Sequence, residues 1–287
     1  MSSTDRRPYV VEAPAKINLH LEVLGKRPDG YHELESLMVT LSLADQLTFH
    51  PAESGTVVKC DEPRVGPEDD NLVSRAVKLV REESGREDGI EITLTKRVPV
   101  AAGLGGGSSD AAATLRGLNE WWELGWSNDR LADLGARLGS DVPFFFYGPA
   151  AIVRGRGEKV TPVPMGTRLD VVLVTPTERL STRTVFGNLV LGRDVVPVES
   201  IAEALAQGDK REIAKRLHNR LEDVSTQLSP AVRSIQDQAK TWSCLGHLMT
   251  GSGSTYFALC ESQAQAESLG KRLQELELGL VFVVRSG

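Results

Sequence analysis

The chain has 287 residues, 40% of them hydrophobic and 25% charged, a composition typical of a globular protein with two domains or one large one. Its formal net charge of −6 disfavours general nucleic-acid binding, and no run reaches the roughly 18 apolar residues that a membrane span requires. Three cysteines without metal-ligand spacing indicate thiols in a reducing compartment, so we expect a cytoplasmic protein. From the charge and the apolar runs we expect no nucleic-acid or membrane partner, and no obligate protein partner is evident.

The first predicted element is a strand with one polar face. Apolar and polar residues alternate over residues 17–23, which is the period of a β-strand. Lys16 and Asn18 therefore point in the same direction. A turn at residues 26–30 and a second alternating run at residues 37–43 follow, so the chain begins as an antiparallel sheet.

A glycine-rich loop lies between the next strand and helix. Asn71 is predicted to cap a helix, and residues 90–94 predict a strand that leads to the loop. The loop reads Gly103-Leu104-Gly105-Gly106-Gly107-Ser108-Ser109. Glycines let backbone N–H groups approach an anion, and a helix start adds unpaired donors and the positive end of the helix dipole. The loop therefore predicts a phosphate site.

The loop does not fit the two best-known phosphate motifs. A Walker A loop needs a lysine after its last glycine, where this chain has Ser108. A dinucleotide fingerprint that starts at Gly103 would need a third glycine at the same serine. A flexible turn is the structural alternative, but ordinary turns need only one or two glycines.

Two helices are predicted after the loop. Residues 111–122 have apolar side chains at helical spacing, with Ser108 or Ser109 as the cap. A second helix over residues 131–138 ends at Gly139. Asp141 follows directly, and local sequence alone favours a turn or capping role for it.

The second half of the chain predicts a separate domain. A hairpin turning at residues 154–157 closes the first domain, and a buried strand at residues 169–174 opens the second. The elements that follow are helices at residues 213–224 and 232–239, a hairpin around residues 251–254, a helix at residues 269–276 and a strand at residues 280–284. This order is the split βαβ arrangement of ferredoxin-like domains with extra helices inserted.

Three motifs together resemble those of the GHMP superfamily of galactokinases, homoserine kinases, mevalonate kinases and phosphomevalonate kinases. They are residues 13–19, residues 99–112 with the glycine loop, and Thr250-Gly251-Ser252-Gly253-Ser254. Within the superfamily the chain most resembles the family of 4-diphosphocytidyl-2-C-methyl-D-erythritol kinases. That narrower resemblance rests on residues 27–32, the triple glycine and residues 138–143, and it extends over almost the whole chain.

The resemblance implies an α+β, two-domain GHMP kinase fold. Residues 1–166 would form a ribosomal-protein-S5-like ATP-binding domain with the catalytic residues, and residues 167–287 a ferredoxin-like domain that contributes to the substrate site. ATP, with Mg²⁺, would phosphorylate the 2-hydroxyl of 4-(cytidine 5'-diphospho)-2-C-methyl-D-erythritol, giving the 2-phosphate and ADP. This reaction belongs to the non-mevalonate pathway to isopentenyl diphosphate, and its partners are the small-molecule cytidine diphosphate substrate and ATP.

The resemblance also assigns a catalytic pair, Lys16 and Asp141. The Asp141 carboxylate would accept or orient the hydroxyl proton, a role for which an acceptor-only group is suited. The Lys16 charge would favour the ionised form of Asp141 and offset charge that develops on the oxygens. Without the resemblance, Lys16 on the polar face of a strand is more often a surface lysine.

Binding residues follow from the same comparison. Aromatic faces stack on bases and imidazole can hydrogen-bond a base edge, and the resemblance assigns the acceptor cytosine to such residues. Ser108 or Ser109 could also reach Mg²⁺, whereas Asp110 would repel phosphate unless it points away or faces the metal. The acceptor residues are Asn18, Tyr31, His32 and Phe186, and the ATP residues are Asn71, Leu72, Lys96, Pro99, Val100, Ala101, Ala102, Gly103, Leu104, Gly105, Gly106, Gly107, Ser108 and Ser109.

One segment departs from the family pattern, and two other functions stay open. Arg220 occupies a usually acidic position in a segment that we predict to be helical and distant from the catalytic motifs. Another GHMP kinase, of the mevalonate or homoserine type, would share the loop but would not need Tyr31 and His32. A non-catalytic nucleotide-binding regulator on this fold would be expected to lack Lys16 or Asp141, and both are present.

Overall fold

The computed structural model describes residues 7–62, 71–192 and 194–287 as two compact units. Unit 1 comprises Met1–Ala15, Leu43–Val100 and Gly105–Tyr147, and unit 2 comprises Lys16–Ser42, Ala101–Leu104 and Gly148–Gly287. Neither unit is a single segment, because two long strands and the glycine loop each contribute residues to both. The proposed boundary between residues 166 and 167 stays a prediction.

Strands and helices are mixed along the chain, and most of them correspond to elements that the sequence patterns predict. The strands are β1 (Tyr9–Lys26), β2 (His32–Pro51), β3 (Thr56–Cys60), β4 (Ile90–Thr95), β5 (Ala150–Gly155), β6 (Lys159–Pro162), β7 (Asp170–Thr175), β8 (His218–Asn219), β9 (Gly246–Met249), β10 (Tyr256–Cys260) and β11 (Leu280–Arg285). The helices are α1 (Leu72–Ser84), α2 (Gly106–Trp121), α3 (Asn128–Leu138), α4 (Thr182–Gly187), α5 (Glu199–Gln207), α6 (Lys210–Lys215), α7 (Glu222–Leu228), α8 (Pro230–Ala239) and α9 (Gln263–Glu275), with a short 3₁₀ helix at Pro143–Phe146.

Unit 1 contains the helices α1, α2 and α3, the end of strand β2, and the strands β3 and β4. β2 pairs antiparallel with β4, from Gln46 opposite Thr95 onward, and β3 pairs parallel with β4. The predicted cap of α1 is confirmed, since the Asn71 side chain accepts a hydrogen bond from Val73 N at 2.9 Å. Gly85 ends the helix in the left-handed conformation that glycine adopts without strain.

Unit 2 contains the ferredoxin-like sheet that the element order predicts. Its strands lie in the order β11-β7-β10-β9, and each neighbouring pair is antiparallel. Counted along the domain this order is fourth, first, third, second, which places α8 and α9 as the two crossover helices. The α+β class is therefore confirmed, and the apolar core of this unit includes Tyr256, Val172 and Leu269.

Two predictions about local structure are wrong. The first strand does not expose its polar face, because Asn18, His20 and Glu22 are as buried as the apolar residues between them. The helix expected over residues 213–224 is interrupted by β8, which pairs parallel with β1 at His20. Hydrogen bonds from neighbouring strands outweigh the helical spacing there. The strand β3 and the helices α4 and α5 have no counterpart among the predicted elements.

Among the described residues, no helix is both long enough and apolar enough to cross a bilayer.

Helix α2 packs against β2 with a strict steric constraint. A Cβ atom at Gly117 would lie 2.3 Å from Cζ of Phe49, a fully buried side chain of β2. Only glycine at this position lets the helix approach the strand so closely.

We expect Gly117→Ala to destabilise the fold. Helix propensity would favour alanine by about 1 kcal/mol, but overpacking against Phe49 costs roughly 1–3 kcal/mol, and the second effect should dominate. Denaturant unfolding measures the difference. Gly187→Ala is the control, because a Cβ there would meet nothing within 4 Å. The packing account is contradicted if Gly117→Ala is as stable as wild type, or if its cost is unchanged in a Phe49→Leu background.

Candidate active site

Lys16 is a buried lysine at the centre of the polar face of β1. The residue is only 3% exposed, and its side chain makes hydrogen bonds within the protein. Lys16 Nζ donates to Asn18 Oδ1 at 2.7 Å and to the carbonyl oxygen of Gly103 at 3.0 Å. Its backbone N–H donates to the carbonyl of Leu104 at 2.9 Å. The surface role that is common for such a lysine is thereby excluded, and Lys16 is joined to the glycine loop and to a predicted acceptor residue.

The motif that begins at Thr250 binds Asn18, the partner of Lys16. Thr250 Oγ1 accepts from the backbone N–H of Asn18 at 3.0 Å and donates to Asn18 Oδ1 at 3.1 Å. Asn18 Nδ2 donates to Ser36 Oγ at 2.8 Å, which fixes the orientation of the amide. A Cβ atom at Gly103 would lie 2.4 Å from the carbonyl oxygen of Thr250. Glycine is therefore required where the loop meets the third motif.

The segment with Arg220 is not distant from these motifs, which corrects the sequence prediction. Asn219 Nδ2 donates to the carbonyls of Met249 and Gly251, at 2.7 and 2.8 Å, and so supports the Thr250 motif directly. The Arg220 guanidinium binds Glu22 with two hydrogen bonds of 2.7 Å. His218 and Asn219 form the short strand β8 beside β1, and Arg220 follows it before helix α7 begins at Glu222, so the strand pairing brings the segment to the site.

Glu22 is the acidic partner that makes an arginine suitable at position 220. Burial alone would raise the pKa of Glu22, but the Arg220 bonds and the backbone N–H groups of Val196 and Val23 lower it to about 2. Arg220 also donates to the carbonyl of Asp194 at 2.6 Å. The pair thus stays charged at neutral pH and ties the segment after α4 to β1.

The start of α2 differs from its prediction. The helix begins at Gly106, and neither Ser108 nor Ser109 is its cap, because Gly105 fills that position with a φ of 70° and no side-chain hydrogen bond. Residues 106–108 therefore present first-turn N–H groups for which the described residues show no side-chain acceptor. Such a terminus is suited to an anion. Ser109 Oγ is buried and has no hydrogen-bond partner within the part of the chain that the structure describes.

Three predicted ATP residues lie beside this helix start in unit 1. A Cβ atom at Gly107 would lie 3.5 Å from Cδ1 of Leu72. Asn71 caps the helix that begins with Leu72. Lys96 is buried at its ammonium group, where it binds Asp110 Oδ2 at 2.7 Å and Asp45 Oδ2 at 2.5 Å. Burial would lower the pKa of Lys96, but the two carboxylates outweigh that effect and raise it.

The Asp110 carboxylate is paired with a buried lysine, so it is not an uncompensated charge beside the predicted phosphate site. Its carboxylate is bonded to Lys96, and burial, with the charge of Asp45, raises its pKa although Lys96 opposes the shift. The described residues offer no partner for its other oxygen, Oδ1. They also contain no cluster of three or more His, Cys, Asp or Glu side chains that could hold a metal ion.

Asp141 lies in the turn after α3, as predicted. The turn is closed by a bond from Val142 N to the carbonyl of Gly139 at 3.3 Å, and Val142 is fully buried against α3 at Gly135. A Cβ at Gly139 would lie 3.8 Å from Ser108 Oγ. The turn that carries Asp141 is therefore adjacent to the first turn of α2.

The predicted acceptor residues lie in unit 2. The rings of His32 and Phe186 are in contact, with centroids 5.0 Å apart and planes tilted by 31°. Tyr31 is half exposed, and the Arg156 guanidinium lies 4.8 Å from its ring centroid. Partial burial, with the nearby charge of Lys26, lowers the pKa of His32, so the imidazole is neutral at pH 7 and can both donate and accept.

The structure places the remaining predicted residues along the loop. Pro99 and Val100 are half-buried, Ala102 and Leu104 are buried, and Ala101 is exposed with a φ of 56°. Sequence reasoning missed Asp45 and Asn219 as supporting residues. A lone aspartate in a strand gives no motif, whereas Asn219 precedes Arg220, the residue that departs from the family pattern.

The chain matches two family models, the GHMP kinases N terminal domain over residues 71–149 and the GHMP kinases C terminal over residues 201–276. A 4-diphosphocytidyl-2-C-methyl-D-erythritol kinase of Geobacillus sp. (strain WCH70) is 44% identical over 286 residues, which cover 96% of each chain. A crystal structure of 4-(cytidine 5'-diphospho)-2C-methyl-D-erythritol kinase aligns with a TM-score of 0.83 at 36% identity, covering 97% of this chain and 99% of that one.

A more remote structure shares the fold alone. The L. major mevalonate kinase, solved in complex with R-mevalonate, has a TM-score of 0.75 at 19% identity and covers 100% of this chain and 98% of its own. The two family models, the extent of the Geobacillus match and the motifs that enclose Lys16 agree with one another. The chain belongs to the GHMP kinases and, among them, to the family of 4-diphosphocytidyl-2-C-methyl-D-erythritol kinases.

Proposed function

We propose that the protein transfers the γ-phosphoryl group of ATP to the 2-hydroxyl of 4-(cytidine 5'-diphospho)-2-C-methyl-D-erythritol, giving the 2-phosphate and ADP. The observation that carries the proposal is the buried Lys16 ammonium, which binds both Asn18, an expected acceptor contact, and the Gly103 carbonyl of the loop expected to hold ATP. One fixed positive charge is thereby associated with residues for both substrates. The acceptor is inferred from the name of the kinase family to which the chain belongs.

Phosphoryl transfer needs positioning and charge stabilisation more than covalent chemistry from the protein. The N–H groups of residues 106–108 are donors for phosphate oxygens, and Lys16 offsets charge that develops during transfer. Asp141 accepts or orients the proton of the attacking hydroxyl. A loose transition state makes little demand for a strong base, so the role of Asp141 is the charge-assisted hydrogen bond by which its carboxylate holds the hydroxyl.

Mg²⁺ is part of the proposal, and the donor set of the first turn of α2 fits it. The buried Ser109 hydroxyl, for which the described residues provide no partner, is a suitable oxygen ligand, and Ser108 is the alternative. Magnesium usually takes only one or two protein ligands when phosphate oxygens supply the others. When bound, it would neutralise phosphate charge.

The acceptor base is recognised by Tyr31, His32 and Phe186. Tyr31 has an exposed ring that can stack on cytosine, Phe186 covers the other face, and the neutral imidazole of His32 can bond the base edge. Asn71, Leu72 and Lys96 are the proposed contacts to adenine. A cytoplasmic location agrees with the three free thiols of Cys60, Cys244 and Cys260.

An acceptor panel tests the substrate directly. We expect ATP-dependent phosphorylation of the cytidine diphosphate substrate, with the new phosphate on the 2-hydroxyl by phosphorus NMR, and none of mevalonate or homoserine. A uridine analogue should react poorly, because uracil has an acceptor where cytosine has its amino donor and a donor where cytosine has its N3 acceptor. Phosphorylation of mevalonate or homoserine alone would overturn the acceptor but not the kinase, and inactivity with all acceptors despite ATP binding would indicate a regulator.

The role of Asp141 has a separate test. Asp141→Asn keeps the size of the side chain but removes the charged acceptor, and we expect kcat to fall by roughly 10²- to 10⁴-fold. The affinity for a non-hydrolysable ATP analogue should stay at the wild-type value. Asp133→Asn, on an exposed position of α3, is the matched control and should be fully active. Near-normal turnover of Asp141→Asn with intact ATP binding would exclude this role.

A further inference from the structure

The glycine loop connects two backbone segments of unit 1 that a buried ionic cluster joins at their base. One segment is the end of β4 with residues 96–98, and the other is the start of α2. Lys96 Nζ lies between the carboxylates of Asp45 and Asp110, at 2.5 and 2.7 Å. The side chains of these three residues are at most 6% exposed. Hydrogen bonds between a buried ammonium and charged carboxylates are strong.

Asp45 also binds the backbone that leads into the loop. Its Oδ1 accepts from the N–H groups of Arg97 and Val98, at 2.5 and 2.8 Å, while Oδ2 accepts from Lys96. A carboxylate that accepts from three donors in a fully buried position is fixed in orientation. The residues just before the loop are therefore held to β2, the strand that carries Asp45.

The start of α2 is packed against the same residues. A Cβ at Gly106 would lie 3.1 Å from Cγ1 of Val98 and 3.4 Å from Nζ of Lys96, so the helix begins in direct contact with the end of the strand. Asp110, one turn further along, provides the polar bond that holds this contact. The distance between the two ends of the loop is thus set by one lysine and two aspartates.

We propose that Asp45, Lys96 and Asp110 form a clamp that fixes the two ends of the glycine loop, and that they are positioning residues for the phosphates of ATP. The inference rests on the proposed function only in that the loop binds ATP. It gives Lys96 a role through its ammonium group, in addition to any contact with adenine, and it adds Asp45, which no motif contains. Phosphate binding at a helix start requires several N–H groups at fixed positions, so a loosened clamp weakens it.

The sign of the effect separates a clamp from simple electrostatics. If the carboxylates acted only through their charge, their neutralisation would tighten the binding of a polyanion. A clamp predicts the opposite result. In Asp45→Asn the amide oxygen can still accept from Arg97 and Val98, while the NH₂ group faces the Lys96 ammonium and cannot bind it. Asp110→Asn perturbs the cluster from its other end.

The test measures, by calorimetry, the Kd for a non-hydrolysable ATP analogue and the Kd for adenosine. We expect Asp45→Asn and Asp110→Asn to raise the analogue Kd about tenfold, which corresponds to 1.4 kcal/mol, and to leave the adenosine Kd within about twofold. Asp170→Asn is the matched control, because Asp170 is also buried and binds Lys210 at 2.9 Å and Arg285 at 3.1 Å in unit 2. It should leave both constants unchanged.

Three outcomes would overturn the clamp, namely tighter binding of the analogue, unchanged binding, or equal losses for the analogue and adenosine. Thermal unfolding establishes that each variant is folded, and Asp110→Asn carries the test if Asp45→Asn does not fold, since it replaces only one charged acceptor and leaves the bonds of Asp45 in place. Failure of the proposed function has a different signature, because wild type itself would then not bind the analogue or would phosphorylate another acceptor.

Discussion

The burial of the Lys16 ammonium is the constraint from which much of the site follows. A charged amine removed from water is costly unless hydrogen bonds replace its hydration. Asn18 and the Gly103 carbonyl provide such bonds, and each is held in turn: Asn18 by Thr250 and Ser36, and Gly103 by the close approach of its backbone to the Thr250 carbonyl. A side chain at position 103 would separate these groups. The requirement for glycine there is therefore part of how the lysine is buried.

A second buried lysine organises the other end of the loop. Lys96 lies between the carboxylates of Asp45 and Asp110, and these ion pairs hold the end of β4 to β2 and α2 within unit 1. Lys16 has an amide and a backbone carbonyl among its partners. The proposed tasks of the two lysines differ, since Lys96 holds the ends of the loop and Lys16 stabilises the charge that develops during transfer.

Sequence patterns predicted the elements whose signals are local. The Asn71 cap, the strand that leads to the loop, the turn with Asp141 and the ferredoxin-like order all depend on spacing or on residues within a few positions. The candidate site could be predicted only through combined motifs, because Lys16 on an alternating strand gives no sign that both faces are buried. The cap of α2 was mispredicted because Gly105 adopts a left-handed conformation that displaced the serines. Asp45 and Asn219 could not be identified, since their roles depend on partners distant in sequence.

The phosphoryl-transfer rate of Lys16→Met, in a single turnover with both substrates saturating, tests the central claim most directly. Methionine fills a similar volume without the charge, and Lys159→Met, at an exposed position of β6, is the control. The account predicts a rate lower by roughly 10²- to 10³-fold in a folded protein that still binds both substrates. Transfer at the wild-type rate would contradict it, because the buried ammonium would then be structural.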